Sequence, residues 1–499
     1  MTEQGFEADC ALGIIQSNDQ WLCNQIGFAL PPDNMQMTAP PYDRSLLDGH
    51  YTATVTATAT DLSEFMDQLI RPNPSLSQNT DDFSIDNTPS NNNYVAQSDV
   101  HTPPQKAPRR DCYERSGDEG GERPHHDHEM RMITLLMECA VQISTENLGE
   151  AQNMLLELTQ MASPYAASCA ERVVAYFAEA MASRIVNSCI GVCSPLLLPY
   201  KTILSAFQAF NNLSPFIKFG HFTANQTILE AFHQEERIHI IDLDIMQGLQ
   251  WPALFHILAT RPNGPPQVRM TGLGPSGPVL EETGMQLAGF ARRLGMRFEF
   301  HPIARRSGDL DPSSVIIPPG RRSGEAVAVH LMRHALYDAT GDESNTMRLL
   351  EHLGPRVVTL VEQEMGHNCG PFLGRFVGAL HYFSTVFDSL GSSWAVDDVG
   401  RHRVESGLLA REIANVVAVG GPGRGGEEKV GRWRDELARR GFVQVEMSGN
   451  AMAQAQLIVN MFPPALGYSV LHGSDGSLGL GWKGAGLYTA SAWTARSSL

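Results

Sequence analysis

The fold is decided by residues 238–252, which read IHIIDLDIMQGLQWP. The apolar run that begins at Ile238 ends in Asp242 and Asp244, a pattern typical of a short parallel strand that is buried on both faces. Pro252 then stands in the first turn of a helix, where its missing N–H leaves no hydrogen bond unmade. A buried strand followed at once by a helix predicts the first unit of a doubly wound α/β sheet.

The same alternation continues towards the C-terminus. Further strands are predicted at 268–272, 297–300, 326–330 and 357–361, and helices at 280–294, 345–353 and 372–390. Repeated strand–helix–strand units need right-handed crossovers, so they predict a mostly parallel sheet. The final segments differ, because 442–447 reads as a strand, and 468–471 with 478–482 reads as a hairpin around Gly-Ser-Asp-Gly. These segments predict an antiparallel edge on the parallel sheet.

Residues 131–230 are predicted to form a helical cap on this α/β core, which spans 231–498. Apolar residues recur there at spacings of three and four, and Asn147 with Glu150 predicts a capping box at the start of the second helix. The helices carry more apolar surface than one layer needs, so they form either an ordinary helical subdomain or a leucine-rich partner surface. The candidate partner-binding residues are Leu135, Leu136, Leu155, Leu158, Phe177 and Met181.

Residues 1–128 differ in composition from the rest of the chain. They carry 20 acidic and 7 basic side chains, which accounts for most of the net charge of −18, and they are rich in Asn, Ser, Thr, Pro and Gln. Such a segment buries too little apolar surface to offset the entropy lost on ordering. We therefore predict a disordered, low-complexity, acidic region.

One stretch of this region, residues 61–70 (DLSEFMDQLI), is amphipathic when it is drawn as a helix. Its apolar stripe consists of Leu62, Phe65, Met66, Leu69 and Ile70, and acidic side chains lie beside it. It is either a short acidic helix that folds into a groove of a partner or an incidental apolar patch in a flexible tail.

Charge and cysteine spacing disfavour several classes of protein. An acidic surface repels phosphate backbones, so broad electrostatic binding to DNA is not expected. The eight cysteines contain no Cys-x-x-Cys pair, which argues against a structural zinc site. The N-terminus lacks a signal-peptide pattern, and no apolar stretch resembles a membrane span. We therefore expect a soluble intracellular protein with reduced thiols.

A candidate ligand site lies at the carboxyl end of the first strand, where Asp242, Asp244 and Gln247 could contact a ribose or an amine. A loop that holds a nucleoside needs glycines for close backbone approach, and only Gly248 is present. The second strand ends in Thr271 and Gly272, without the acidic residue that a ribose would need. Asp242 is expected to cap the following turn or to pair internally, and we predict no catalytic residue, cofactor or metal.

Three further patterns provide only weak evidence for a binding site. Residues 421–426 match G-x-G-x-x-G, but the preceding apolar residues repeat at helical spacing, so the glycines are expected to end a helix and not a strand. His330 and His334 lie four residues apart without the carboxylate of a zinc-binding H-E-x-x-H motif, so they are expected in the core or at its rim. Direct DNA binding could use three arginine pairs, which are Arg305-Arg306, Arg321-Arg322 and Arg439-Arg440, although such pairs more often mark solvated loops and helix ends.

The chain resembles the plant GRAS family over residues 131–498, with the family's blocks in order. Ile238-His239-Ile240-Ile241-Asp242 is similar to its VHIID motif, with Ile in place of the first Val, and 240–274 resembles the SCARECROW branch. Leucine-rich stretches at 132–190 and 279–294 flank that motif. The PFYRE-like region comprises 297–302, 376–390, Arg411 and Glu412. The SAW-like region contains Trp433, Gly441, Trp482, Ser491, Ala492 and Trp493.

This resemblance implies a helical cap on a Rossmann-like core similar to that of adenosylmethionine-dependent methyltransferases. It implies a nuclear transcriptional regulator that is not an enzyme and that reaches DNA through other factors. The expected partners are a SHORT-ROOT-like GRAS protein, as a heterodimer, and indeterminate-domain zinc-finger factors. The expected setting is plant development, in asymmetric division and radial patterning. The alternative is a methyltransferase-like enzyme or a small-ligand-binding protein on the same core.

Overall fold

The structure is a computed structural model that describes residues 122–190, 200–311, 324–365, 371–418, 432–462 and 467–495. Five helices precede the first strand. They are α1 (Glu122–Ser144), α2 (Leu148–Met161), α3 (Cys169–Ile190), α4 (Tyr200–Leu213) and α5 (Phe216–Ala231). The first three helices pack on one another, whereas α5 lies against the sheet. The predicted helical cap is therefore present.

Five parallel strands follow, as the strand–helix alternation predicted. They are β1 (Arg237–Asp242), β2 (Gln267–Leu273), β3 (Phe298–Ile303), β4 (Ala326–Met332) and β5 (Val357–Gln363). The helices between them are α6 (Trp251–Ala259), α7 (Gly277–Arg293) and α8 (Glu343–Leu353). Strand β1 pairs in parallel with β2 on one side and with β4 on the other. The chain therefore reverses its direction across the sheet between β1 and β4, which is where open α/β sheets bind ligands.

The C-terminal third adds helices and an antiparallel edge. The helical segments are α9 (Phe372–Ser393), α10 (Val399–Val404), a π-helical turn (Glu405–Leu409), α11 (Ala410–Val417), α12 (Trp433–Arg439) and α13 (Gly449–Asn460). The strands are β6 (Phe442–Val445), β7 (Tyr468–His472), β8 (Leu478–Trp482) and β9 (Ala485–Ala495). Within the described residues the sheet order is β3-β2-β1-β4-β5-β9-β8-β7, and β6 also pairs with β9. The prediction of a mostly parallel sheet with an antiparallel edge is confirmed.

The cap is completed by residues from the other end of the chain. Helices α9 and α11 both pack on α3. Buried Arg172 of α3 donates from Nε to Glu405 of the π-helical turn at 3.2 Å. Arg401 lies on the other side of that carboxylate at 3.6 Å. These charges stay buried because they are paired, and they join the cap to the C-terminal half.

Two local predictions need correction. The capping box at Asn147 is wrong, because the side chain of Asn147 makes no capping bond and its amide donates to Gln142 Oε1 at 2.9 Å instead. Glu146 has a φ of 62°, so the chain turns too sharply there for the box to form. Residues 122–128, which the composition assigned to the disordered region, form the first turns of α1. Pro124 is tolerated there because it lies in the first turn.

Candidate functional site

The carboxylate that ends β1 is held by two internal donors. Asp242 accepts the indole N–H of Trp251 on Oδ2 at 2.9 Å and the backbone N–H of Asp244 on Oδ1 at 3.1 Å. Burial raises the pKa of Asp242 to about 7, and these two hydrogen bonds act in the opposite direction. Asp242 thus caps the turn and holds the loop, as the sequence led us to expect.

The second carboxylate of the loop is also occupied. Asp244 accepts the hydroxyl of Tyr337, at 2.7 Å to Oδ2, and its Oδ2 lies 2.8 Å from His334 Nε2. The backbone N–H of Leu336 donates to Nδ1 of the same ring at 3.1 Å, so Nε2 carries the proton and donates to Asp244. Both carboxylates of the loop therefore already accept hydrogen bonds from groups of the same chain.

His330 and the partly buried His221 line the cavity at this end of β1, and the buried His239 lies in the middle of the strand. His239 lies 2.9 Å from the Thr271 hydroxyl, and His330 lies 2.9 Å from the Thr359 hydroxyl. Burial lowers the pKa of His239, His330 and His221 to about 3 in each case. They are therefore neutral near pH 7, and His330 is in the core, as expected for a histidine without a ligand role.

The cavity at the carboxyl end of β1, where the strand order reverses, is small. The cavity there is about 30 Å³ and is lined by Asp242, Gln247, Trp251, His330 and His334, among others. A site for a drug-sized molecule or a cofactor has about 300–1,000 Å³, so the enclosed space at this end of β1 is small for a nucleoside.

The backbone of the loop explains why the cavity is small. Gly248 has a φ of +64°, which favours glycine, and a Cβ there would lie 3.1 Å from a methyl carbon of Thr283. At the end of β2, a Cβ on Gly272 would lie 2.9 Å from Ile245 Cγ2. Ile245 thus packs against the end of β2 and leaves little room there.

The family resemblance singled out Arg411 and Glu412, but no local pattern predicted that they brace this site. Glu412 is buried and accepts the backbone N–H of Ala335 at 2.9 Å, and Arg411 Nε donates to the carbonyl of Leu336 at 2.7 Å. Burial raises the pKa of Glu412. Arg411 and Glu412 therefore hold the segment that presents His334 and Tyr337 to Asp244. No local spacing reveals this contact, because the partners lie more than seventy residues apart in sequence.

The SAW-like residues lie in and around the antiparallel edge. Trp433 donates its backbone N–H to Glu362 at 2.8 Å and its indole N–H to Glu343 at 3.1 Å. The indole of Trp482 donates to Asp388 at 2.6 Å, and that of Trp493 donates to the Ser491 hydroxyl at 2.9 Å. All three rings are buried. Gly441 has a φ of +86° in the turn before β6, and Ala492 pairs with Thr359 in the sheet.

Most of the candidate partner-binding residues lie inside the cap. Leu136, Leu155, Leu158, Phe177 and Met181 are buried against neighbouring helices, and only Leu135 is partly exposed. A buried side chain cannot touch a second protein while the cap keeps this packing. The apolar side chains that do face outwards on α1 and α2 are Met130, Val141 and Leu156, and we call these three the outer cap face.

Of the two arginine pairs that the structure describes, three members contact carboxylates of the same chain. Arg306 is paired with Asp309 at 2.7 Å and with Asp338 at 2.8 Å. Arg440 is paired with Glu436 at 2.8 Å, and Arg439 also contacts Glu436. Arg321 and Arg322 lie outside the described residues, as do 421–426 and 61–70. Helix α11 ends just before the glycine motif, in agreement with the helical spacing that precedes it.

Metal-binding clusters and membrane-spanning helices are both absent from the described ranges. No group of three or more His, Cys, Asp or Glu side chains within 122–495, apart from its undescribed gaps, is arranged to hold a metal ion. Over the same residues, no helix combines the length and the apolar character needed to cross a bilayer.

Comparison with known proteins identifies close relatives. Residues 132–494 match the model of the GRAS domain family. Protein SCARECROW 2 of Oryza sativa subsp. indica is 53% identical over 371 residues, which are 73% of this chain and 55% of that protein. Protein SCARECROW of Arabidopsis thaliana is 51% identical over 382 residues, 75% of this chain and 57% of that protein. The chain thus matches little more than half the length of these two relatives.

Two more relatives are matched over nearly their whole length. Scarecrow-like protein 23 of Arabidopsis thaliana is 47% identical over 373 residues, which are 73% of this chain and 89% of that protein. The crystal structure of SCL7 in Oryza sativa is 33% identical in sequence and superposes with a TM-score of 0.62, over 72% of this chain and 99% of that one.

Proposed function

Because this chain belongs to the GRAS family and to its SCARECROW branch, we propose that it is a nuclear transcriptional co-regulator that works by association and not by catalysis. It pairs with a second GRAS protein, of the SHORT-ROOT type, and zinc-finger factors of the indeterminate-domain class recruit the pair to DNA. Its setting is plant development, in asymmetric division and radial patterning.

The proposal depends on the internal hydrogen bonds of the β1 loop. We use this name for residues 243–250 together with the carboxylate of Asp242 before them. Asp242 and Asp244 accept hydrogen bonds from Trp251, Tyr337 and His334, and Ile245 packs against Gly272 at the end of β2. Catalysis on such a core needs a bound cofactor at this point. A loop that uses its polar groups internally supports a scaffold over a methyltransferase.

The partner surface that we propose is the outer cap face. Apolar side chains that are exposed on adjacent helices mark contact sites, because their burial in a complex is favourable by about 25 cal/mol per Å². The ion pair between Arg131 and Glu157, at 2.6 Å, lies beside Met130 and Leu156 and ties α1 to α2 at this face. Leu136, Leu155, Leu158, Phe177 and Met181 support the face from behind. Leu135 is partly exposed on another side of α1.

Indirect recruitment to DNA agrees with the charges of the chain. The net charge is −18, and Arg306, Arg439 and Arg440 are paired with carboxylates of the same chain. Affinity for a phosphate backbone comes from cations that release counterions from the DNA. We therefore assign base reading to the zinc-finger partner.

Calorimetry with S-adenosylmethionine tests the absence of a cofactor. We expect no saturable heat at millimolar ligand, because the cavity is about 30 Å³. Saturable heat that Asp242→Ala abolishes, in a variant that still folds, would support a methyltransferase instead.

Co-purification with a SHORT-ROOT-like protein tests the partner surface. The double variant Met130→Asp/Leu156→Asp should lose the partner, whereas Met285→Asp should keep it. Met285 is a suitable control because it is an apolar residue on α7, outside the cap, and is at least as exposed as Met130 and Leu156. Retention of the partner by the double variant, with helicity unchanged, would place the interface elsewhere.

A further inference from the structure

An exposed apolar patch lies where the described chain begins, apart from the outer cap face. It consists of Tyr165, Val396, Val399 and His402, and we call it the Tyr165 patch. Tyr165, in the loop between α2 and α3, is 70% exposed, and its ring lies 4.6 Å from that of His402, centroid to centroid. Val399 is 70% exposed on α10, one turn before His402. An exposed aromatic ring among exposed valines is typical of a contact site.

The fold presents this patch rigidly. Buried Arg172 donates from Nη1 to the carbonyls of Ala166 and Ala167, at 3.1 and 2.8 Å, and so fixes the loop that carries Tyr165. Arg401 donates to the carbonyl of Val396 at 2.7 Å and fixes the segment before α10. Both guanidinium groups converge on Glu405. A patch held in this way loses little side-chain or loop entropy when it is covered.

The N-terminal segment of the chain leaves the described structure beside this patch. Glu129 of α1 bonds to the hydroxyl of Ser168, three residues after Tyr165. Helix α1 begins seven residues before Glu129, which is about 10 Å of helix. Residues 1–121 therefore join the described chain close to the Tyr165 patch, and any apolar segment among them is held near it at high effective concentration.

One segment among residues 1–121 has a matching sequence pattern. Residues 61–70 contain five apolar side chains that would share one stripe if the segment formed a helix. The 51 residues from 71 to 121 span at most about 170 Å, which is more than enough to reach the patch. Arg403 and Asp397 are both exposed at the edge of the patch, so its charge is balanced and the contact is mainly apolar.

We propose that residues 61–70 dock as a short amphipathic helix on the Tyr165 patch of the same chain. Phe65 and Leu69 lie one turn apart at the centre of the stripe and supply the main contacts. Docking places the acidic side chains of Asp61, Glu64 and Asp67 beside the stripe towards solvent. A partner that binds either the segment or the patch then has to displace the other, so the contact restrains both surfaces until such a partner is present.

Photo-crosslinking of the full chain tests the proposal. The variant Tyr165→p-benzoylphenylalanine should crosslink within one chain to the tryptic peptide 45–106, which contains the segment because trypsin does not cleave between Arg71 and Pro72. Adding Phe65→Ser/Leu69→Ser should reduce the yield at least fivefold. The matched control is Met285→p-benzoylphenylalanine, because Met285 is 71% exposed but lies on α7, and it should give no such crosslink.

Hydrogen exchange on the chain without the photo-crosslinker provides a second reading. In Phe65→Ser/Leu69→Ser, peptides covering 162–168 and 396–403 should exchange faster than in the wild type, while peptides covering β1 should not change. Crosslinks between two chains would assign the patch to a second copy and overturn the proposal. Failure to crosslink peptide 45–106, together with unchanged exchange at both patch peptides, would also overturn it.

Discussion

The β1 loop and the outer cap face differ in whether their side chains find contacts within the same chain. In the loop, polar groups that could bind a ligand are consumed by Trp251, Tyr337 and His334 of the same chain. On the cap, apolar groups that could be buried are left exposed, although the leucines directly beneath them are covered. The polar groups of the β1 loop are hydrogen-bonded within the chain, whereas the apolar groups of the outer cap face remain exposed to water.

The contrast shows where free energy remains for binding. A buried carboxylate that already accepts two hydrogen bonds gains little from a new donor, and exchanging its donors leaves others unpaired. An exposed apolar side chain still gains when water is removed from it. The polar groups of the β1 loop thus gain little from a new ligand, whereas the exposed apolar side chains of the cap still gain from burial.

The largest effect is expected where the loop closes on itself. Trp251→Ala should lower the free energy of unfolding by about 3–5 kcal/mol, because it empties a fully buried aromatic site and removes a donor from Asp242. Urea unfolding followed by circular dichroism measures this. The control Trp251→Phe keeps a ring and loses only the N–H, and about 1–3 kcal/mol is expected. If Trp251→Phe unfolds like the wild type, the hydrogen bond does not hold the loop.

Two adjacent leucines sharpen the description of the cap. Leu155 is 5% exposed and Leu156 is 58% exposed. Leu155→Ala should lower the free energy of unfolding by about 2–5 kcal/mol, because it opens a cavity in the cap. Leu156→Ala should change it by less than about 0.5 kcal/mol and should weaken partner pairing. Equal losses of stability in the two variants would mean that the outer cap face belongs to the core.

The smallest effect is a dependence on pH that arises in the loop. Burial raises the pKa of Asp242 to about 7, above the value of about 3.9 in an unfolded chain. Between pH 4 and 7 the folded state thus binds more protons than the unfolded state, and stability falls as pH rises, by at most about 1.4 kcal/mol per unit. The difference in unfolding free energy between the wild type and Asp242→Asn should therefore shrink as pH rises from 4.5 to 6.5. Parallel profiles would contradict a proton held on Asp242.

Much of the fold could be predicted because its signals are local. The apolar run at 238–241 and the Pro at 252 are read within a few residues, and the periodicity alone located β1 and α6. The capping box at Asn147 failed because a positive φ at Glu146 redirected the chain, and no residue type at these positions signals that conformation.

The candidate site was predicted only in part. The end of β1 was located correctly, and so was the internal role of Asp242. His334 and Tyr337 could not be assigned to Asp244, because their contact depends on how β4 lies beside β1. Helical spacing identified Leu155 and Leu158 as one face but could not tell whether that face meets solvent, a partner or helix α3.

The sequence by itself determined the order of strands and helices and the placement of two carboxylates at the carboxyl end of the first strand, because hydrophobic periodicity and the conformational limits of proline act over short distances. Only the tertiary structure decided that these carboxylates accept hydrogen bonds from distant side chains and that Leu156, not Leu155, faces outwards. Both outcomes depend on side chains that are brought together from distant parts of the chain, and such contacts leave no trace in local spacing.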